Sequence, residues 1–158
     1  RFNAERMAAD YIREHYLPAH NQGERVTADG WTGAQTLAAW KKKIGAGWPA
    51  VRIERLDVPL TDIHSDEVLT IQVAVELGPL TPDDILVDCV LGVESPDNEF
   101  SARSHHALPH CGSTADGRAL FCIELKPGAP GLQSYMLRAY PHHELLAHPF
   151  EMGRMLWV

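Results

Sequence analysis

The chain has 158 residues, 45% hydrophobic and 22% charged, with a formal net charge of −7 from 14 Lys and Arg against 21 Asp and Glu. That balance belongs to a globular chain large enough to bury a core, and excludes a disordered one. It argues against nucleic acid and membrane as partners: no basic run exceeds Lys41-Lys42-Lys43, and no apolar run approaches the roughly 18–20 residues of a membrane-crossing helix.

Arg1-Phe2-Asn3 opens directly into charged, helix-forming sequence with no signal peptide, which predicts a cytoplasmic protein and a chain cut from something longer. Asn3 predicts a helix N-cap, Glu5 sits in the positive first turn, and Pro18 predicts the end. Between them Met7, Ala8, Tyr11, Ile12 and His15 form one apolar stripe. A helix of about 13 residues is marginal alone in water, so that stripe has to dock on something. Residues 19–30, with Gly23, Gly30 and few apolar groups, predict a loop. A second helix is expected from Gly33 to Ile44, with Leu37, Trp40, Lys41 (by its aliphatic stem) and Ile44 on one side and Gly45 and Gly47 stopping it.

The texture changes at Trp48-Pro49, which divides the chain into a helical segment, 1–48, and a β segment, 49–158. Val51, Ile53 and Arg55 alternate with polar neighbours, and Val68–Leu77 is the clearest strand, with Leu69, Ile71, Val73, Val75 and Leu77 facing one way. Ile85–Val93, a short run near Glu99–Arg103, Ala119–Leu125 and Leu132–Tyr140 complete the strands. Residues 104–117 predict a loop or loose hairpin, and Pro127–Gly131 a forced turn. Six or seven short strands without intervening helices predict a mainly β fold: an immunoglobulin-like antiparallel β-sandwich preceded by two N-terminal α-helices.

Chemistry-bearing motifs are few. There is no phosphate-cradling glycine loop, nucleophile elbow or C-x-x-C pair. Cys89, Cys111 and Cys122, odd in number and without paired spacing, predict reduced thiols. His105, His106, His110 and Cys111 share one predicted loop and offer ligands that zinc accepts, so a small metal-dependent enzyme built on that loop is one reading. His142, His143 and His148 flank a chain reversal and predict turn residues capping carbonyls. Asp83-Asp84, after Thr81-Pro82, predicts side-chain-to-backbone bonding in a turn. Of the four tryptophans, Trp40 and Trp48 predict packing, while Trp31 and Trp157 are the candidates for an exposed aromatic sugar platform. No catalytic residue is assigned.

Three stretches carry a resemblance. Phe2-x3-Arg6-Met7-x3-Tyr11-x4-Tyr16-Leu17-Pro18 looks like the last helix of a catalytic region. Leu37-Ala38-Ala39-Trp40-Lys41, followed by Trp48-Pro49-x-Val51-Arg52, looks like a link into a tail domain. The C-terminus carries Tyr135-x-Leu137-Arg138-x2-Pro141-His142-His143-x-Leu145-Leu146-x2-Pro149-x-Glu151-x-Gly153-x3-Trp157. Together they resemble the C-terminal portion of the bacterial α-glucan phosphorylases, the glycogen and maltodextrin phosphorylase family.

The resemblance implies a parent glycosyltransferase of carbohydrate metabolism. It would exchange glucosyl units between α-1,4-glucan and phosphate, using lysine-held pyridoxal 5′-phosphate. No catalytic, cofactor or metal residue of that machinery carries over to this chain. The expectation is a non-catalytic C-terminal fragment. Its partners would be the upstream catalytic domains, with α-glucan as a further one through Trp31 and Trp157. Phe2, Met7, Tyr11, Trp40, Trp48 and Trp157 are the structural positions. The exposed face of the first helix is expected to fold back on the sandwich or to pair two fragments as a dimer. The alternative is an autonomous carbohydrate-binding or protein-interaction module.

Overall fold

The computed structural model describes residues 4–57, 67–94, 97, 100–126 and 134–158. Phe2, the Asn3 cap and the Pro127–Gly131 turn lie outside them. The helical part runs from α1 (Ala4–Tyr11) through a π-turn (Ile12–Tyr16) into α2 (Leu17–Gly47), and a 3-10 turn (Trp48–Ala50) leads to the strands.

Pro18 does not end the first helix. A proline ring collides with the carbonyl four residues back and cannot donate to it, and here the wider π-turn immediately before α2 absorbs the misfit. Residues 19–27 are helical too, which corrects the expected loop. Long-range bonds that local propensity cannot register hold them: Gln22 Nε2 donates to the Leu145 carbonyl, and Arg25 Nη2 to that of Glu144 at 3.0 Å. The break comes later. Asp29, Gly30 and Trp31 have φ of 50°, 68° and 70°, a left-handed turn costly for a tryptophan. Beyond it the second half of α2 starts so close to the first that a Cβ on Gly33 would lie 2.7 Å from the Arg25 carbonyl oxygen. α2 passes through Gly45 and ends at Gly47, as expected of the second glycine, and Gly47 is a contact residue as well. Its backbone is helical, and a Cβ there would strike Leu80 at 2.7 Å.

Eight strands follow: β1 (Arg52–Arg55), β2 (Leu69–Glu76), β3 (Ile85–Glu94), β4 (Phe100–Leu108), β5 (His110–Ser113), β6 (Ala119–Leu125), β7 (Ser134–Pro141) and β8 (Leu156–Trp157). They form two four-stranded sheets, β1-β2-β6-β5 and β4-β3-β7-β8, antiparallel throughout. The chain is thus mainly β after a long, broken helical segment. Strand alternation sets the core: Ile71, Val73, Val75 and Phe121 from one sheet meet Val87, Cys89, Leu137 and Ala139 from the other. Trp40, Ile44 and Trp48 join the same core cluster. Ile44 alone, fully buried, contributes roughly 1.5–3 kcal/mol by leaving water. Between the sheets the Tyr135 hydroxyl donates to Asp57 Oδ2 at 2.7 Å, and Arg55 Nε to the same oxygen at 2.8 Å.

Residues 104–117, expected as a loop or loose hairpin, are largely strand, and the two strands do not pair with each other. β4 carries His105 and His106 in one sheet, while β5 carries His110 and Cys111 in the other. Cys111 is bonded to Cys122 across the β5–β6 pair, with Cα atoms 5.9 Å apart. This corrects the expectation of three reduced thiols. A bulge between His110 and Gly112 shifts the register there, so no regular spacing announces the partner. Cys89 is free and buried, and burial, with Asp88 adding to it, pushes its thiol up to about 12, leaving it inert.

Candidate functional site

Two constructions stand out from the ordinary packing. The first is the seam between α2 and the sheets, centred on Asp84. Thr81 and Asp84 close a capping box around the short 3-10 turn Pro82–Asp84. Asp84 Oδ2 accepts from the Thr81 amide at 2.7 Å and from its hydroxyl at 2.8 Å. The turn bonding expected of Asp83-Asp84 is therefore present, and it falls to Asp84.

The same carboxylate reaches the helix. Trp40 Nε1 donates to Oδ1 at 3.0 Å, and Lys43 Nζ donates to Oδ2. The Asp84 carbonyl meanwhile accepts the His142 amide at 2.9 Å. Burial opposes ionisation, but the hydrogen bonds from Lys43 and Thr81 outweigh it and hold the carboxyl below its ordinary value.

The C-terminal turn tightens the seam. Trp40 packs against His143 with ring centroids 5.0 Å apart. Glu151 accepts from Lys41 and from the Ala147 amide at 3.0 Å. His143 and His148 do cap the turn, but by accepting the amides of Leu145 and Phe150 at 3.1 Å, not by donating to carbonyls.

The second construction lies on the outer face of the β4-β3-β7-β8 sheet. Asp88 and Arg138 are directly opposed on β3 and β7, and Arg138 is opposed in turn to Trp157 on β8. Arg138 donates to both Asp88 oxygens, at 2.6 and 2.8 Å, a bidentate pairing that fixes the guanidinium plane. His105 on β4 approaches with Nδ1 3.3 Å from Arg138 Nη2. The guanidinium carbon lies 5.0 Å from the Phe150 ring centroid and 5.4 Å from those of Tyr140 and Trp157. The result is a row of side chains across all four strands, with Phe150 folded onto it from the turn.

Trp157, one of the two platform candidates, is therefore part of a built surface and stays 51% exposed. Trp31, the other, is 61% exposed at the α2 break. Among the described residues it stacks on no ring or guanidinium. The structure does not bring the two together. Sequence reading found Trp157 but missed Arg138, Asp88 and Phe150. An Asp and an Arg fifty residues apart carry no shared local signal; only the β3–β7 register pairs them.

The histidine loop separates into two sheets, and its cysteine is spent in the disulfide. Among the described residues no group of three His, Cys, Asp or Glu side chains could hold a metal. The lysines do not suit a pyridoxal phosphate site either. Lys41 and Lys43 are paired with Glu151 and Asp84, and Lys42 and Lys126 lie on the open surface. No helix among the described residues is long and apolar enough to cross a membrane.

Helical bracket, two antiparallel sheets and an aromatic outer face together define a β domain carried on a clamped helix. Residues 48–158 match the family described as the glycogen phosphorylase C-terminal domain, and the chain belongs to that family. It is similar to a maltodextrin phosphorylase of Thermococcus litoralis, 29% identical over 160 residues covering 99% of this chain and 18% of that protein. It is also similar to a glycogen phosphorylase of Mycobacterium tuberculosis, 28% identical over 153 residues covering 95% of this chain and 18% of that protein. The chain thus spans about a fifth of the length of the curated relatives it matches.

Proposed function

We propose that this chain is the non-catalytic C-terminal segment of an α-glucan phosphorylase whose full-length form transfers glucosyl units between α-1,4-glucan and phosphate. Its lead-in helix serves to brace the upstream catalytic domains. One observation carries this reading. Met7, Tyr11, Ile12, Tyr16 and Leu17 are all exposed along the first half of the helical segment, while the second half buries Trp40 and Ile44 in the core. α1 and the π-turn contain no buried residue, so the apolar stripe is not satisfied by folding back on the sheets, as one expectation had it. Its natural cover is the upstream part of the parent, with a second copy of this chain the lesser alternative.

On this reading residues 1–48 end the catalytic region, and residues 49–158 form an appended sandwich of immunoglobulin-like kind. Pyridoxal 5′-phosphate would be held wholly upstream and would supply its phosphate as the acid–base partner there. The cytoplasmic setting expected from the sequence belongs to the same reading; the Cys111–Cys122 bridge weighs against it, because cytosolic glutathione keeps such pairs reduced.

The experiment is phosphorolysis of glycogen and maltoheptaose by this 158-residue chain and by the long gene product that contains it. Glucose 1-phosphate from the long protein and none from the short one is the expected result. Inactivity of both contradicts the reading.

A further inference from the structure

We propose that the outer face built from Trp157, Phe150, Arg138 and His105 binds an α-glucan chain, as an attachment site separate from any catalytic centre. The inference rests on the phosphorylase reading for the identity of the polymer; the character of the surface rests on its own geometry.

The charge at the centre of this face is already paired. Arg138, the cation at its centre, is neutralised by the bidentate bond to Asp88, so that guanidinium is not free to select a phosphate or a carboxylate. What remains is suited to a neutral, hydroxyl-rich ligand. Trp157 has the Arg138 guanidinium over its ring and keeps half its surface open, and Phe150 is 39% exposed beside it. Two held aromatic surfaces offer stacking to the C–H faces of sugar rings. Arg138, its side chain only 11% exposed, is held on Asp88 and serves to fix the rings around it, while His105 stands at the edge with its ring exposed. The His105 ring supplies a hydrogen-bonding nitrogen for sugar hydroxyls at the rim of the platform.

The platform is rigid before any ligand arrives. Backbone bonds between Leu137 and Val158, at 2.9 and 3.1 Å, pin β8, and the Phe150 ring meets Tyr140 edge-on with centroids 5.1 Å apart. Rigid aromatics lose little entropy on binding.

Size points the same way. Aromatic side chains of about 150–250 Å² each, open by half or less, present roughly 200 Å² of ring surface. That is far below the ~800 Å² per partner of a stable protein interface, and matches a few sugar units. Attachment through such a site would raise the local concentration of chain ends for the parent enzyme, without any new contact at its catalytic centre.

The test is affinity electrophoresis of the 158-residue chain through gels with and without soluble starch, for wild type, Trp157→Ala, Phe150→Ala and Trp31→Ala. Wild type is expected to be retarded. Trp157→Ala and Phe150→Ala should each weaken retardation by about fivefold or more, and Trp31→Ala should leave it unchanged. Should Trp157→Ala fray β8 and lower the melting temperature, Phe150→Ala, outside any strand, decides alone. An unretarded wild type overturns the proposal, as does retardation that both platform variants preserve. Sedimentation of the same variants adds a third outcome: a platform variant that changes the oligomeric state assigns the face to a protein contact and overturns it as well. Phosphorolysis by the long protein is read separately. Retardation lost in the platform variants, with no phosphorolysis anywhere, keeps the glucan site and removes the phosphorylase reading.

Discussion

The two halves of the helical segment have opposite relations to the rest of the molecule. From Ala4 to Leu17 the chain exposes Met7, Tyr11, Ile12, Tyr16 and Leu17. From Leu37 to Gly47 it buries Trp40 and Ile44 and ties three side chains, those of Trp40, Lys41 and Lys43, to Asp84 and Glu151. Between them Gln22 and Arg25 make a lighter attachment to two carbonyls of the C-terminal turn. Helical propensity does not separate these regions, since both are helical. What separates them is whether the apolar stripe has found a partner within this chain. One end of the bracket is part of the β domain's core; the other is finished surface only if something else covers it.

Asp84→Ala breaks the comparison hardest. It strands the Trp40 indole and the Thr81 amide at a buried seam, and should cost about 2–4 kcal/mol in urea unfolding. A loss under about 0.5 kcal/mol would mean that the seam is held by burial of Ile44 and Trp48 alone.

Acid attacks the same seam more gently. Glu151 is also held below its ordinary value, by the Lys41 hydrogen bond above all. For both carboxyls the folded pKa is depressed, so their stability is fully present above the unfolded values of about 4. It is lost as pH falls through the lower folded ones. Thermal unfolding should therefore be flat from about pH 7 to 5 and fall below about pH 4, with Asp84→Ala removing part of that fall. The same acid slope in the variant would contradict the assignment.

Tyr11→Ser should do least to the isolated chain, under about 0.5 kcal/mol, because the ring is already in water. On the proposed reading the same change should cost more in the long protein, and equal effects in the two would erase the contrast between the halves.

What could be read from sequence divides along local and distant causes. The alternation Leu69, Ile71, Val73, Val75 is a local signal, and β2 buries those four residues. Trp40 and Trp48 pack as expected. The helix over residues 19–27 was hidden because its anchors, the carbonyls of Glu144 and Leu145, lie more than a hundred residues away. Asp84 was legible as a turn residue but not as the hub of the seam, since Trp40 and Lys43 reach it only after the chain has closed. Four clustered chemical groups in sequence, His105, His106, His110 and Cys111, were divided between two sheets by a single strand break at Pro109. Proximity along the chain and proximity in space parted there.

The most direct test of the bracket is hydrogen exchange, followed by mass spectrometry, on peptides spanning residues 4–17 and 37–47, in this chain and in the long protein. The account predicts that the second peptide is protected in both and the first only in the long protein. Equal exchange of residues 4–17 in the two would contradict it, because the open stripe would then have no partner upstream.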